Sequence, residues 1–402
     1  MLTRFRGKRV LLLQGPSGPF FRRLARHLER LEATVTKINF NAGDWLYYHK
    51  GDVVPYRATP EAWPAFLQDV LVARRIDAVV LFGDCRPLHR TAINTARSAG
   101  VEVHVFEEGY LRPDFVTLEQ EGVNGNSHTP RDPEFFRRYR PPPLRAPQPL
   151  PGTFWRTAWY CTLYAWALTL FWWRYPHYKH HRNQNALWQL YLWTRSGAVK
   201  LRRSRRDRAI DQQIASGSLG RYFLVPLQVG FDSQIGHSPF SSVAEFIETV
   251  VASFAQHAPS EYRLLLKHHP FDRPYQNYTK LVKQLQERYS LGERLLYADA
   301  INLPAALRHA HGTIVINSTV GLSSVHHQTP VKCLGTAVYD IPGITSQQPL
   351  DEFWNAPAPV DYELYSKFRS WLLANNQLNG SIWLDVVVED EPISAQPSSA
   401  SS

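Results

Sequence analysis

The sequence predicts an α/β protein built from two Rossmann-type halves that face each other across a central cleft, with an aromatic and basic segment between them. Three observations carry this reading. Short apolar runs alternate with helix-length amphipathic stretches in two separate regions, 9–128 and 222–334. A stretch crowded with proline and arginine, 130–151, interrupts the alternation. Polar residues cluster just after the apolar runs, at the sheet edge where open parallel sheets hold their ligands.

Bulk properties agree. A chain of 402 residues exceeds one ordinary core and suits two domains. A hydrophobic content of 44% excludes a disordered protein. The net charge of +10 favours an anionic partner: nucleic acid, anionic lipid or a phosphorylated substrate. Nucleic acid is disfavoured, because the aromatics gather in one apolar segment instead of interleaving with basic residues. Cys85, Cys161 and Cys333 are far apart and form no metal-like cluster, so free thiols in a reducing compartment are expected. The first residues lack a long apolar stretch with a cleavage site, and no secretory leader is expected.

In the first half, Arg9–Gln14 reads as a buried strand. The turn Gly15-Pro16-Ser17-Gly18-Pro19 follows, then a helix with Phe20, Leu24, Leu28 and Leu31 on one face. Ala33–Phe40 is the next strand. Thr59-Pro60 opens a helix striped by Trp63, Phe66, Leu67, Val70 and Leu71. Ala78–Phe82 and Val101–Phe106 are further strands. In the second half, strands are expected at Tyr222–Gln228, Tyr262–Lys267, Thr313–Ile316 and Val331–Leu334, with an amphipathic helix over Ser241–Gln256. The expected organisation is a first domain over 1–150, an aromatic and basic segment over 151–215, a second domain over 216–345, a helical segment over 346–388, and a disordered tail over 389–402. No internal repeat is visible.

The candidate site residues lie at the strand ends. Gln14, Gly15, Ser17 and Gly18 form a glycine turn whose amides face the start of a helix. Such a turn approaches an anion or sugar closely, though it also serves as a plain strand-to-helix connection. Asp84 and Arg86 follow one strand, and Glu107-Glu108-Gly109 follows another. A carboxylate at such an edge acts as nucleophile or general base, and adjacent residues on an extended chain point opposite ways. In the second half the clusters are Gln228 with Asp232 and Ser233, Lys267-His268-His269-Pro270, and Asn317-Ser318-Thr319. Histidine and lysine there offer donors and charge to a phosphate. The serine and threonine sit at a helix start, which suits phosphate and helix capping alike. The histidine spacing does not match a zinc site.

In sequence order, an acid pair with glycine, then His269-Pro270, then Ser318-Thr319 resembles bacterial transferases that use CMP-activated acidic sugars. The strings QGPSGPFFRRLA, KINFNAGD, FGDCRPLHR, FEEGYLRPDFVTLE, PLQVGFDSQI and LLKHHPFDR resemble the capsular polysaccharide biosynthesis and export family, over roughly 9–345. That family includes β-Kdo transferases that begin the poly-Kdo linker on a phosphatidylglycerol-type lipid. The resemblance implies a GT-B-like fold, CMP-Kdo as donor, a (lyso)phosphatidylglycerol acceptor and retention of configuration. It implies that His-Pro and Ser-Thr hold the nucleotide and that a first-half acid meets the anomeric carbon. Glu107, Glu108, Asp84 and Asp114 are all eligible, the pair first and Asp84 next. No metal or other cofactor is expected to be obligatory.

Phe154–Tyr178 is rich in tryptophan and tyrosine and carries no charge from Thr157 to Trp173. That run is shorter than the ~20 residues of a membrane span. With Trp155, Trp159, Trp166, Trp172 and Trp173, it reads as an in-plane anchor. Lys179, His180, His181, Arg182, Arg202, Arg203, Arg205, Arg206 and Arg208 read as its polybasic flank. A peripheral protein on the cytoplasmic face of the inner membrane is expected, with other capsule biosynthesis and export proteins as partners.

Overall fold

The structure is a computed structural model. It describes residues 1–386 apart from 145, 181–184 and 231; the expected disordered tail and the basic residues His181 and Arg182 lie outside the described residues.

The first half contains β1 (Arg9–Leu12), α1 (Phe20–Arg30), β2 (Thr34–Asn39), α2 (Ala42–Tyr47), β3 (Asp52–Pro55) and α3 (Trp63–Ala73). It continues with β4 (Ala78–Phe82), α4 (Pro87–Ser98), β5 (Glu102–Glu108), β6 (Phe115–Gln120) and α5 (Pro133–Arg138). Helices α6 (Phe154–Leu170) and α7 (Ala186–Ala215) form the inserted arm. The second half holds β7 (Tyr222–Pro226), α8 (Val243–His257), β8 (Arg263–Lys267), α9 (Thr279–Arg288) and β9 (Leu295–Ala298). After these come α10 (Leu303–His309), β10 (Gly312–Val315), α11 (Val320–His326) and β11 (Val331–Cys333). The chain then runs through α12 (Leu350–Phe353), α13 (Tyr362–Asn375) and β12 (Gln377–Asn379).

The strands assemble into two sheets, ordered β12-β6-β5-β4-β1-β2-β3 and β11-β10-β7-β8-β9. Strands β3, β2, β1, β4 and β5 are parallel, and so is the whole second sheet. Counted within each half, both parallel sets run third, second, first, fourth, fifth. The order reverses between β1 and β4, and again between β7 and β10. A crevice opens at each reversal, where neighbouring crossovers leave to opposite faces. This is the GT-B-like arrangement of two doubly wound domains.

Each sheet is buried on both faces, which explains its continuous apolar strands. Leu11, Val79, Val103 and Val105 pack under α3 and α4, while Val10, Leu12, Val80 and Phe106 pack under α1. In the second half, Phe223, Val225, Leu264 and Leu266 meet α8, and Leu224 and Leu265 meet α7 and α10. Helix α8 begins where its sequence signals, with Ser242 capping Glu245 and Glu245 accepting from the Ser241 amide at 2.8 Å. Thr59 makes no capping bond, and a 3-10 turn over Pro60–Ala62 precedes α3 instead.

Strands β3, β6, β9 and β12 add to those expected. The segment 346–388 is not purely helical, because β12 returns to the first sheet and pairs antiparallel with β6. The arm rests on the first half through α2 and α6. Tyr164 of α6 is buried, accepts from Asn41 Nδ2 (2.8 Å) and Gln14 Nε2 (3.2 Å), and donates to Asp44 Oδ1 (3.2 Å). Gly43 permits this close approach: a Cβ there would lie 2.4 Å from the Tyr164 ring. Gly43→Ala should therefore destabilise the protein by about 1–3 kcal/mol, the cost of overpacking. Urea unfolding measures this, and an unchanged midpoint would show that the α2–α6 contact yields freely.

Candidate active site

The acid pair ends β5, where the strand has passed the apolar part of the sheet. Glu107 pairs in register with Thr117, and Glu108 with Val116. Their side chains leave on opposite faces, as strand geometry requires. Gly109 follows because a side chain there would strike the Phe115 carbonyl oxygen at 2.1 Å. The next turn is held by a residue far away in sequence: Gln377 Oε1 of β12 accepts from the amides of Tyr110 (2.9 Å) and Leu111 (3.3 Å).

Glu107 is half-buried at the floor of the cleft. Its Oε1 accepts from the Glu108 amide at 3.0 Å. Its Oε2 lies over Gly83, 3.4 Å from where a Cβ would stand, and takes no hydrogen bond among the described residues. Burial pushes the carboxyl up to about 7; the Glu108 amide and Arg86 pull down, while Glu108 and Asp232 push up. Asp232 belongs to the second half, so Glu107 faces across the cleft. Glu108 instead forms an ion pair with Arg112 at 2.7 Å on the rim.

The other eligible acids are committed elsewhere. Asp84 is buried, with Oδ2 accepting from the Val123 amide and Asn126 Nδ2, both at 3.0 Å. Its Oδ1 accepts from the Cys85 thiol at 3.1 Å. Asp84 thus fixes the turn over 123–126. Asp114 accepts from the Leu150 amide at 2.8 Å, in the linker.

The glycine turn differs from its expectation as an open anion cradle. Gln14 is buried and spends its amide on Tyr164 and Tyr178 (2.8 Å). A Cβ at Gly15 would sit 3.1 Å from the Phe21 ring, and one at Gly18 would sit 3.4 Å from Tyr160 of the arm. Ser17 stays half-exposed between them. The turn seats the arm. Arg86, just before α4, stacks on Phe82 and reaches the Gly15 carbonyl at 3.4 Å.

In the second half, the crevice between β7 and β10 is bridged by two amides. Gln228 Nε2 donates to Asn317 Oδ1 (3.0 Å), the Asn317 amide donates back to Gln228 Oε1 (3.2 Å), and Asn317 Nδ2 reaches the Gln234 carbonyl (2.8 Å). Asp232 caps the turn that begins at Ser233, which is exposed. Ser318 and Thr319 are half-buried, and Ser318 Oγ accepts from the Val320 amide at 3.3 Å.

The two histidines have separate surroundings. His268 is buried, and its Nδ1 bonds to Tyr297 Oη at 2.7 Å. Lys267 is buried too; it donates to the His268 carbonyl at 3.2 Å, and burial lowers its ammonium to about 8. Both support the loop, and the Lys267 ammonium, mostly protonated at neutral pH, turns a donor to that carbonyl. His269 is half-buried beside the exposed Pro270. Its Nδ1 accepts from the Phe271 amide at 3.2 Å, which assigns the ring proton to Nε2. Burial, then Lys267 and Arg112, lower its pKa to about 3, so it is a neutral N–H donor.

The halves touch beside these groups. Cys85 lies 3.5 Å from His237 Nε2, and Gly125 lies so close that a Cβ would stand 2.4 Å from the His237 ring. An open cavity of about 590 Å³ adjoins this contact, lined by Arg131, His237, Ser238, Lys332, Thr336 and Asp340 among others. These residues come from separate segments with no shared motif, and no sequence signal marks them. Asp272 was also missed: it is buried, accepts from the Gly230 amide at 3.1 Å, and ties the His269 turn to the crevice. Among the described residues no group of three or more His, Cys, Asp or Glu is placed to hold a metal ion.

The arm displays its aromatic side. Trp155 is 81% exposed, Trp172 67%, Trp159 62% and Trp173 60%, and Trp166 is less exposed at 38%. Leu187, Trp188, Leu190 and Tyr191 extend the patch along α7. No helix among the described residues is long and apolar enough to cross a membrane. Arg202, Arg205 and Arg206 are exposed. Arg203 departs from the expected basic flank: it turns inward and pairs with buried Asp299 at 2.8 Å.

Comparison with known proteins adds an independent line. The family model described as capsule polysaccharide biosynthesis protein matches residues 77–383. The chain is 40% identical over 382 residues to the Escherichia coli capsule polysaccharide export protein KpsS, covering 93% of this chain and 96% of that protein. It is 42% identical over 385 residues to the capsule polysaccharide modification protein LipB of Neisseria meningitidis serogroup A, covering 94% and 92%. Among solved structures, Thermosulfurimonas dismutans KpsC, titled a beta Kdo 2,7 transferase, is 15% identical and aligns with a TM-score of 0.42, covering 90% of this chain and 89% of that one. A second KpsC structure from the same organism, titled a beta Kdo 2,4 transferase, is 13% identical with a TM-score of 0.39, covering 90% of each chain. Those superpositions are too loose to argue from, and the assignment rests on the sequence relatives. With a family match over residues 77–383 and relatives covered almost end to end, the chain belongs to the capsule polysaccharide biosynthesis protein family.

Proposed function

We propose that this protein is a retaining glycosyltransferase that moves Kdo from CMP-Kdo to a (lyso)phosphatidylglycerol lipid and so begins the β-Kdo linker of a capsular polysaccharide. One observation carries the reading: the Glu107 carboxyl at the end of β5, with Oε1 held by the Glu108 amide and Oε2 without a hydrogen bond among the described residues, lies within electrostatic reach of Asp232 in the other half. The crevice offers His269 Nε2 as a neutral donor beside the hydroxyls of Ser318 and Thr319, and the mutually bonded Gln228 and Asn317 hold its shape. Such a set suits the single phosphate and the base of CMP. The family membership supports a capsule role.

In this reading Glu107 is the nucleophile. Its carboxylate bonds to the anomeric carbon as the bond to CMP breaks. The acceptor hydroxyl then attacks the same carbon, the bond to the carboxylate breaks, the hydroxyl proton passes to solvent, and configuration is retained after two inversions. Burial keeps the carboxylate poorly solvated and therefore reactive. His269 donates to the departing phosphate without carrying charge of its own. Arg86, placed near Glu107, compensates charge on the acid side. The aromatic patch on α6 and α7, with Arg202, Arg205 and Arg206, holds the protein peripherally on the anionic inner face of the inner membrane, where a lipid acceptor resides. Incubation with CMP-Kdo and a lysophosphatidylglycerol analogue, followed by product mass, tests the whole reading; transfer from a UDP-sugar instead would replace it with another nucleotide-sugar reaction.

The reading has consequences for single residues. His269→Ala should weaken CMP binding by about 1.5–3 kcal/mol, the value of a hydrogen bond to a charged group. Calorimetry with an unchanged affinity would remove His269 from the donor site. Trp172→Ala with Trp173→Ala should release the protein from anionic vesicles, and salt should release it partly. Wild-type sedimentation of the double variant would place the anchor elsewhere.

Glu107→Gln should lower turnover on the order of 10²–10⁴-fold while CMP still binds. Only the ionised acid attacks, so the wild-type rate should rise with pH through a limb near 7. Stability should move the other way. The folded-state pKa is raised above the ordinary 4.5, so the favourable contribution of this group is complete below that value and is lost as pH climbs to about 7. The amide variant should therefore gain stability over wild type at pH 8 but not at pH 4. A near-normal single-turnover rate in Glu107→Gln would place the nucleophile elsewhere.

A further inference from the structure

Helix α7 does more than carry aromatics. Residues Arg203, Asp207 and Asp211 recur every four positions and form one stripe on the helix. That stripe faces the second half. Asp207 accepts from the amides of Asp299 (3.3 Å) and Ala300 (2.9 Å), and Asp211 accepts from the Asn302 amide (2.8 Å). Arg203 does the most. Its Nη1 donates to both oxygens of Asp299, at 3.0 and 2.8 Å. Its Nη2 donates to Asn277 Oδ1 (3.2 Å) and Thr279 Oγ1 (2.9 Å). Its guanidinium also lies 6.0 Å from the centre of the Tyr297 ring, whose hydroxyl holds His268.

These contacts bracket the loop that carries His269. One end is fixed through Tyr297 and His268, the other through Asn277 and Thr279. Between them the loop lies along the same helix. Arg195 Nη2 donates to the Pro274 carbonyl (2.9 Å), Tyr275 Oη donates to Gln189 Oε1 (2.7 Å), and Phe271 packs edge-on against Trp193. The Phe271 amide is the group that fixes the His269 tautomer.

We infer that Arg203 is a positioning residue for the donor: it holds the 269–279 loop on α7, so that His269 is presented to the nucleotide phosphate only when the arm is seated. The inference rests on the donor reading above. A planar five-donor fork can span Asp299, Asn277 and Thr279 at once, which a lysine cannot.

Removing Arg203 alone leaves Asp299, a buried carboxylate, with the longer Arg206 pair at 3.7 Å and risks unfolding. The test therefore uses the full chain with Arg203→Lys and with Arg203→Gln combined with Asp299→Asn, which removes the buried carboxylate together with its nearer partner and leaves the exposed Arg206 to solvent. Both variants should unfold within a few degrees of wild type and sediment with anionic vesicles as wild type does. Both should bind CMP on the order of tenfold more weakly or worse, from the lost charged hydrogen bonds. The donor KM should rise with kcat nearly retained. Amides of 269–279 should exchange faster with solvent while those of β7 and β10 do not change. CMP affinity within twofold of wild type, with normal exchange in the loop, would overturn the role. Should wild type bind no CMP, the donor reading fails by itself, and the exchange measurement still decides whether Arg203 holds the loop.

Discussion

The side-chain amide of Gln377 fixes the turn that follows the acid pair, and much of the cleft depends on it. Its oxygen takes two amides of that turn, and its nitrogen donates to Thr117 at 3.0 Å, the residue opposite Glu107 in the sheet. Gln377 belongs to the last strand, so the first sheet is completed by a segment that follows the second half in the chain. Helix α13 brings it there, packed on α5 through Phe136 and Phe368. Loop-closure entropy opposes such a long-range contact, and the shared apolar cluster of α5, α11 and α13 offsets it. The position of the acid is thus a property of the whole molecule.

The cleft groups share a second feature: burial shifts several of them toward their uncharged forms. Glu107 is pushed up, His269 is pushed down, and Glu119 behind the acid pair is pushed up to about 7. Donors and acceptors in such a place act through direction more than through net charge, and they need little reorganisation when a ligand arrives. The strong charges stand at the rim, in the pair Glu108–Arg112, and on the arm.

The doubly wound halves were legible because strands buried on both faces read as continuous apolar runs, as in AVVLF of β4 and RLLLK of β8. Among the missed strands β9, LLYA, carries that signal over four residues, and the other three lack it. In β6, Thr117 and Glu119 interrupt the run, β3 ends at a proline on the sheet edge, and β12 has three residues. The common strand order of the two halves left no repeat in the sequence, because crossover handedness and burial set the order and neither requires matching residues. Among site residues, composition and position found the right turns but not the role within each. His268 and His269 are neighbours, yet one side chain goes to Tyr297 and the other to the cleft. Arg203 sat in a run of arginines that reads as one solvated patch. The four-residue spacing of Arg203, Asp207 and Asp211, in register with buried Ile210 and Ile214, was the available sign that this face turns inward.

The contact between Gly125 and His237 is a mechanical stop. The imidazole already occupies the space that a methyl group at position 125 would need, so any larger residue there must displace His237 or part the two halves at this edge. The missing side chain is thus what lets the halves meet beside Cys85.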